Sequence, residues 1–179
     1  MQGFSICGDT LRANFLTIPS GDGGTYVTLA HMRRLARQGS AQPLVRQTAA
    51  SIVRGISGTD GSAQAYAIRE WVGDHVSFLR DPRGLEALYT PELQIRTILT
   101  TGVSQVDCDD VATLAASLGL AVGLLARYVV VGFHSPKNPY QHVWAELADL
   151  RLPQWVEVDV TRPSQEAFSA IKRVKAYVV

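Results

Sequence analysis

The sequence predicts an α+β fold, and two observations carry that prediction. Segments with helical spacing fill the first part of the chain, and one strongly patterned helix follows Cys108. After it, the pattern turns to β-branched, period-two runs joined by short polar connections, so an antiparallel strand run follows the helices rather than alternating with them. At 179 residues, with 46% apolar and 18% charged residues, the chain fits one compact domain that buries a core without staples.

Taken in order, residues 1–24 read as an irregular arm ending in the turn-forming run Pro19-Ser20-Gly21-Asp22-Gly23-Gly24. Thr25 to Gln38 is a predicted helix with Leu29, Met32, Leu35 and Ala36 on one face, stopped by Gly39-Ser40. Pro43 to Ile56 is a second, with proline near its start and Gly58 past its end. The Gly-rich connector from Gly55 to Ser62 divides a basic helical lead-in, residues 1–62, from the remainder, residues 63–179. Ala63 to Phe78 reads as a third helix, Asp81-Pro82-Arg83-Gly84 as a turn, and Pro91 as the start of a short helix.

The second half opens with a helix from Asp109 to Val122, whose Val111, Leu114, Ala115, Leu118 and Val122 form one stripe, with Gly123 as its C-terminal cap. Gly119 is a poor residue for the middle of that helix. Strands are predicted for Arg127 to Phe133, His142 to Leu147 and Gln154 to Val160. A loop covers His134 to Tyr140, and Asp149-Leu150-Arg151 makes a short connection.

Composition excludes several classes of protein. The net charge of +1 points to no particular partner. Between Gly23 and Thr59 there is no acid but five arginines, Arg33, Arg34, Arg37, Arg46 and Arg54. Aromatic residues that could stack on bases are scarce there, so a solvated helix face is expected rather than a nucleic-acid surface. Two cysteines, Cys7 and Cys108, allow one bridge at most and fit a thiol-reducing compartment. No basic n-region precedes an apolar h-region at the N-terminus, so no secretory signal is expected. The uncharged run from Val111 to Ala126 is too short to span a bilayer comfortably and reads as a buried helix followed by a buried strand.

Chemistry concentrates on Cys108, in Gln105-Val106-Asp107-Cys108-Asp109-Asp110. Backbone N–H groups at a helix N-terminus favour a thiolate, the reactive form, while the neighbouring carboxylates oppose it. Capping accounts for Asp107, and a first helical turn accounts for Asp109 and Asp110. A lone cysteine is more often a small buried apolar residue than a nucleophile. In His142-Val143-Trp144-Ala145-Glu146-Leu147, alternation puts His142, Trp144 and Glu146 on one face; Trp155, Glu157 and Asp159 share a face of the next strand. If these strands pair antiparallel, His142 lies beside Asp159, which would fix the imidazole tautomer that turns its other nitrogen to Cys108. Half-exposed strand residues without a catalytic role explain the same pattern equally well.

Four segments extend the comparison beyond chemistry. Val106 to Leu114, Arg127 to Gly132, His142 to Glu146 and Trp155 to Asp159 together resemble the transglutaminase-like superfamily, in particular its small members encoded by tailed bacteriophages. Pro19 to Thr25, Asp81-Pro82 and Thr90 to Leu93 are similar to the same phage proteins, so the resemblance runs from about Ile18 to Thr161. It implies a papain-like core, with a nucleophile-bearing helix packed on an antiparallel sheet, and a triad of Cys108, His142 and Asp159. The chain departs from the family where Val106 stands in place of a glycine that often precedes the Asp-Cys pair.

The chemistry so implied is thiolate attack on an amide or peptide carbonyl to give a thioester on Cys108, with the Cys108 N–H and the Gln105 side chain as expected oxyanion donors. A solvent-facing Gln105 is the competing expectation. No cofactor is expected, nor a metal site from Cys108, Asp107, His142 and Asp159, because no close Cys or His pair has ligand spacing. The implied partners are a peptide or protein amide substrate and phage structural proteins, in a host bacterial cytoplasm or a virion, with no membrane. The alternative expectation is a non-catalytic structural or adaptor part of a phage particle.

Overall fold

In a computed structural model of the chain, residues 18–81, 87–137, 139–151, 154–160 and 169–179 are described. The expected turn at Asp81-Pro82-Arg83-Gly84 and Cys7 fall wholly or largely outside them. The elements are α1 (Asp22–Ser40), α2 (Pro43–Ile52), α3 (Gly61–His75), β1 (Val76–Phe78), α4 (Pro91–Thr101), β2 (Ser104–Val106), α5 (Cys108–Ala121), β3 (Leu125–Phe133), β4 (His142–Ala148), β5 (Val156–Val158) and β6 (Ile171–Val178). Helices precede and flank an antiparallel sheet, as the α+β expectation requires.

The centre of the molecule is α5. From Asp109 to Gly119 every residue is buried, because α1, α2, α3 and α4 pack around the helix on one side and β3 and β4 on the other. Each fully buried Leu or Val here contributes about 1.5–3 kcal/mol relative to exposure, which is why an Ala- and Leu-rich helix without a polar stripe is stable only in this position. Small residues set its distances to its neighbours. A Cβ on Gly119 would stand 2.5 Å from Leu147 Cδ2 on β4, and one on Gly39 of α1 would stand 2.6 Å from Ser117 Oγ. The glycine that weakens α5 as an isolated helix is therefore what lets it lie against the sheet. Gly123, at φ 86°, then turns the chain out of α5 and into β3.

The sheet runs β5-β4-β3-β6 with antiparallel neighbours throughout, in registers such as Val130↔Val143 and Ala145↔Val158. Tyr128, Val130, Val143, Ala145, Leu147, Val156 and Val158 face the main core, while Val129, Val131 and Trp144 make a small second cluster on the opposite face. The strand β6 has no counterpart in the sequence reading. Its run Ile-Lys-Arg-Val-Lys-Ala-Tyr-Val places charges among the apolar residues, which suits an edge strand with much of its surface in solvent.

Several boundaries differ from expectation; α1 runs on through Gly39 and Ser40, and β5 covers only Val156–Val158. Asp22 to Gly24 form the first turn of α1 rather than the end of a loop. The second helix stops at Ile52, with Gly55 at φ 86° in the turn that follows. The third helix ends at His75, and Val76 to Phe78 form β1, which pairs in parallel with β2 through Val76↔Ser104 and Phe78↔Val106. β-branched Val76 fits a strand, and the local pattern gives no sign of the distant partner that stabilises it. No helix among the described residues is long and apolar enough to cross a membrane.

Candidate active site

Cys108 is the first residue of α5, half-buried at the helix N-terminus. β2 delivers the chain to that point, and Asp107 occupies the capping position with extended backbone angles but without a side-chain cap hydrogen bond. The capping role expected of Asp107 is thus met by its backbone alone. Asp109 and Asp110 do stand in the first turn, but both are buried. Asp110 Oδ1 accepts the Tyr89 N–H at 2.7 Å, and its carbonyl accepts from Gln94 Nε2 at 3.1 Å. Asp110 thereby docks the start of α4 onto α5, a role the sequence gives no sign of.

β4 begins with His142, and β5 ends at Val158 opposite Ala145. One further step along that register sets Asp159 opposite Trp144, so Asp159 is the diagonal same-face neighbour of His142, within reach of its ring. His142 Nε2 and Asp159 Oδ2 lie 2.7 Å apart, and the two side chains are 10% and 2% exposed. Because β5 has ended, the edge of β4 at Val143 is not covered by a paired strand. The Val143 N–H faces the Cys108 sulfur there and favours its charged form. The fold therefore brings Cys108, His142 and Asp159 to one place, at the head of α5 and the uncovered end of the β4 edge.

The resting electrostatics oppose ionisation of the sulfur. Burial pushes the Cys108 thiol well above its ordinary pKa, the charges of Asp109, Asp107 and Asp159 push it further, and the Val143 N–H acts in the opposite sense. Of the two opposed influences expected here, desolvation and three neighbouring carboxylates outweigh the partial charge of the helix end.

A cavity of about 640 Å³ opens onto the sulfur. Its walls come from the start of α1 with Thr25, Leu29 and Met32, from Phe78 at the end of β1 and Arg80 beyond it, and from Phe133, Tyr140 and Gln141 around the β3–β4 connection; Cys108 and His142 line it as well. Gln105 is placed elsewhere. It is exposed on β2 between buried Ser104 and Val106 and is not among the residues lining the cavity. That is the solvent-facing placement weighed against its oxyanion role.

Oxygens of Asp107, Asp109 and Asp110 all lie within 4.8 Å of one another. Two of those carboxylates accept backbone N–H groups, Asp110 from Tyr89 and Asp109 from Asp110. On the sheet face that carries His142, Arg127 pairs with Glu146 at 2.6 Å and lies 4.1 Å from the Trp155 ring centre. Burial and the charge of Asp159 raise the Glu157 pKa on the same face.

Comparison with known proteins gives a family and a fold. Residues 46–160 match the family model of the transglutaminase-like superfamily. The structure is similar to the crystal structure of a candidate cysteine protease from Cytophaga hutchinsonii, with a TM-score of 0.50 and 18% identity over 74% of this chain and 41% of that chain. The chain thus spans less than half of that protein, and at this identity the likeness speaks for the fold. Among curated proteins no sequence matches.

Proposed function

The chain belongs to the transglutaminase-like superfamily, and from that premise we propose that it is a cysteine hydrolase or acyltransferase acting on amide or peptide bonds through a thioester on Cys108. The observation that carries this reading is the 2.7 Å contact between His142 Nε2 and Asp159 Oδ2, at a cavity that His142 lines together with Cys108.

In this reading Asp159 holds Nε2 and leaves Nδ1 as the nitrogen that serves the sulfur. Because the thiol is held protonated at rest, Nδ1 takes its proton as the sulfur attacks the carbonyl carbon, rather than in a preformed ion pair. Negative charge developing on the carbonyl oxygen is met by the Cys108 N–H at the head of α5. His142 returns the proton to the departing amine, leaving a thioester. Water, or a second amine, then attacks the thioester while His142 accepts the attacking group's proton, and the sulfur leaves as the thiol. The reading does not use Gln105.

The test is a fluorogenic peptide amide assayed with and without a primary amine. Release of the amine with formation of free acid marks a hydrolase, and incorporation of the added amine marks a transferase. No turnover across a broad peptide panel would contradict the proposal.

One observation favours a second reading. A thiol held protonated by burial and three acids is also what a fold kept for structure would tolerate. In that reading the chain is a structural or adaptor component of a phage particle, in line with the resemblance of its motifs to phage proteins. Co-purification with virions without any Cys108-dependent activity would favour it.

A further inference from the structure

We infer that Arg80 is the specificity residue of this site and that the preferred substrate carries a carboxylate beside the bond attacked, next to an apolar or aromatic residue. The inference rests on the reading of the cavity as the substrate cavity.

Strand register puts Arg80 where it can do this. β1 and β2 run parallel with Phe78 opposite Val106, and the Leu79 N–H continues the ladder to the Val106 carbonyl at 2.8 Å. Two residues beyond Phe78 on one strand, and two beyond Val106 on the other, the chain reaches Arg80 and Cys108. The same parallel pair therefore delivers the guanidinium and the sulfur to one cavity, and both line it.

The charges of the cavity are separated by depth. Arg80 is exposed, it is the one Lys or Arg among the residues lining the cavity, and it has no ion-pair or hydrogen-bond partner among the described residues. Asp109 is buried and Asp107 is half-buried beside the sulfur. An anionic group entering the cavity is attracted at the mouth and repelled from the interior. That polarity keeps the carboxylate at Arg80 and leaves the neutral amide to approach Cys108. Phe78, Phe133 and Tyr140 also line the cavity and offer an adjacent apolar or aromatic side chain a place to pack. A guanidinium is suited to two-point recognition of a carboxylate, whether that belongs to an acidic side chain or to a free peptide C-terminus.

The test uses the full chain in two forms. In Cys108→Ala protein, Kd is measured for matched fluorescent peptides: one with Glu and an amidated terminus, one with Gln in its place, one with Lys, and one with Gln and a free C-terminal carboxylate. Wild-type protein is assayed for turnover of the same peptides. The expected result is tighter binding of at least one carboxylate peptide by roughly tenfold over its neutral match, as for a hydrogen bond to a charged group. That ratio should fall to near one in Arg80→Gln, recover in part in Arg80→Lys, and stay unchanged in the control Arg46→Gln on α2. Preference for the Glu peptide assigns the carboxylate to a side chain, and preference for the free terminus assigns it to a chain end; either supports the inference. Equal binding of all four peptides, no binding, or a preference that survives Arg80→Gln would overturn it. Selective binding without wild-type turnover would sink the catalytic reading and leave Arg80 as the recognition residue.

Discussion

Arg173 on β6 grips Asp22 in the first turn of α1 through two hydrogen bonds, Nη1 to Oδ1 at 3.0 Å and Nη2 to Oδ2 at 2.8 Å. Its guanidinium carbon also lies 4.1 Å from the Tyr140 ring centre. One side chain thereby ties together the start of α1 and the β3–β4 connection, two walls of the cavity above Cys108. Replacing Arg173 with Lys keeps the charge but loses the two-pronged geometry. KM is expected to rise severalfold with kcat little changed, read from initial rates on a single peptide amide. A fall in kcat at constant KM would contradict a role in shaping the cavity.

The His142–Asp159 contact gives a sharper expectation. Asp159→Asn keeps the shape but offers an amide where the ring needs an acceptor, so the imidazole is held in the wrong tautomer. The kcat loss in that variant approaches about 10⁴-fold where an orienting carboxylate is essential. The measurement is kcat/KM against pH, with circular dichroism to confirm the fold. Near-full activity in Asp159→Asn would remove Asp159 from the mechanism.

The Cys108 thiol sets a dependence on alkaline pH. Its folded pKa is raised by burial and by Asp109, Asp107 and Asp159, whereas the unfolded thiol titrates near ~8.5. An acid raised in the folded state stabilises fully below the unfolded pKa, and that contribution is lost as pH climbs toward the folded value. Stability is therefore expected to decline from about pH 8.5 upward in wild type and less in Cys108→Ala. Denaturant melts of the two proteins from neutral to alkaline pH read the difference. In a Cys7→Ser background, Cys108 should also alkylate more slowly at neutral pH than a free thiol. Rapid labelling below neutral pH would show that a thiolate exists at rest.

Asp149 sets the corresponding dependence at the acid end. Arg151 hydrogen-bonds its carboxylate from side chain and backbone, and the Gly61 N–H at the head of α3 donates to Oδ2 at 3.0 Å. These donors hold its pKa down at about 2. A depressed carboxylate stabilises above its unfolded pKa of ~3.9, and that contribution disappears as pH falls through the folded value. Asp149→Asn should lose stability at neutral pH and show a shallower decline between about pH 4 and 2. Identical acid melts for the two proteins would contradict this account of the α3–β4 contact.

Gly119→Ala separates helix propensity from packing. Propensity alone favours alanine by about 1 kcal/mol. The added methyl would meet Leu147 at 2.5 Å, and Leu147 is fully buried. Overpacking of that kind costs about 1–3 kcal/mol, so the net change is expected to be destabilising. Adding Leu147→Ala should bring the double variant closer to the single Leu147→Ala than additivity allows. A raised melting temperature in Gly119→Ala would show that the helix and sheet have room between them.

The residues with strong local patterns were legible in the sequence. The stripe through Val111, Leu114 and Leu118 predicts α5, and the alternation of His142, Trp144 and Glu146 predicts the face that carries the imidazole. The parallel pair β1–β2 was not legible, because three residues ending a helical pattern acquire a strand only through a partner more than twenty positions away. The burial of Asp109 and Asp110 was hidden for the same reason. An acid in a first helical turn looks solvated until the segment carrying Tyr89 is known to fold over it. Nothing in the sequence marks Arg80, because a lone arginine after a predicted helix has no local signature. Only the register of β1 on β2 brings it level with Cys108.

The account is tested most directly by mass spectrometry of the full chain, quenched in acid during turnover of a slow peptide ester or amide. The predicted result is an acyl adduct that maps to Cys108, is absent in Cys108→Ala, and accumulates when His142 is replaced only if the substrate has an activated leaving group. Sustained turnover by Cys108→Ala, or an adduct that maps to Cys7 while Cys108 stays unmodified, would contradict it.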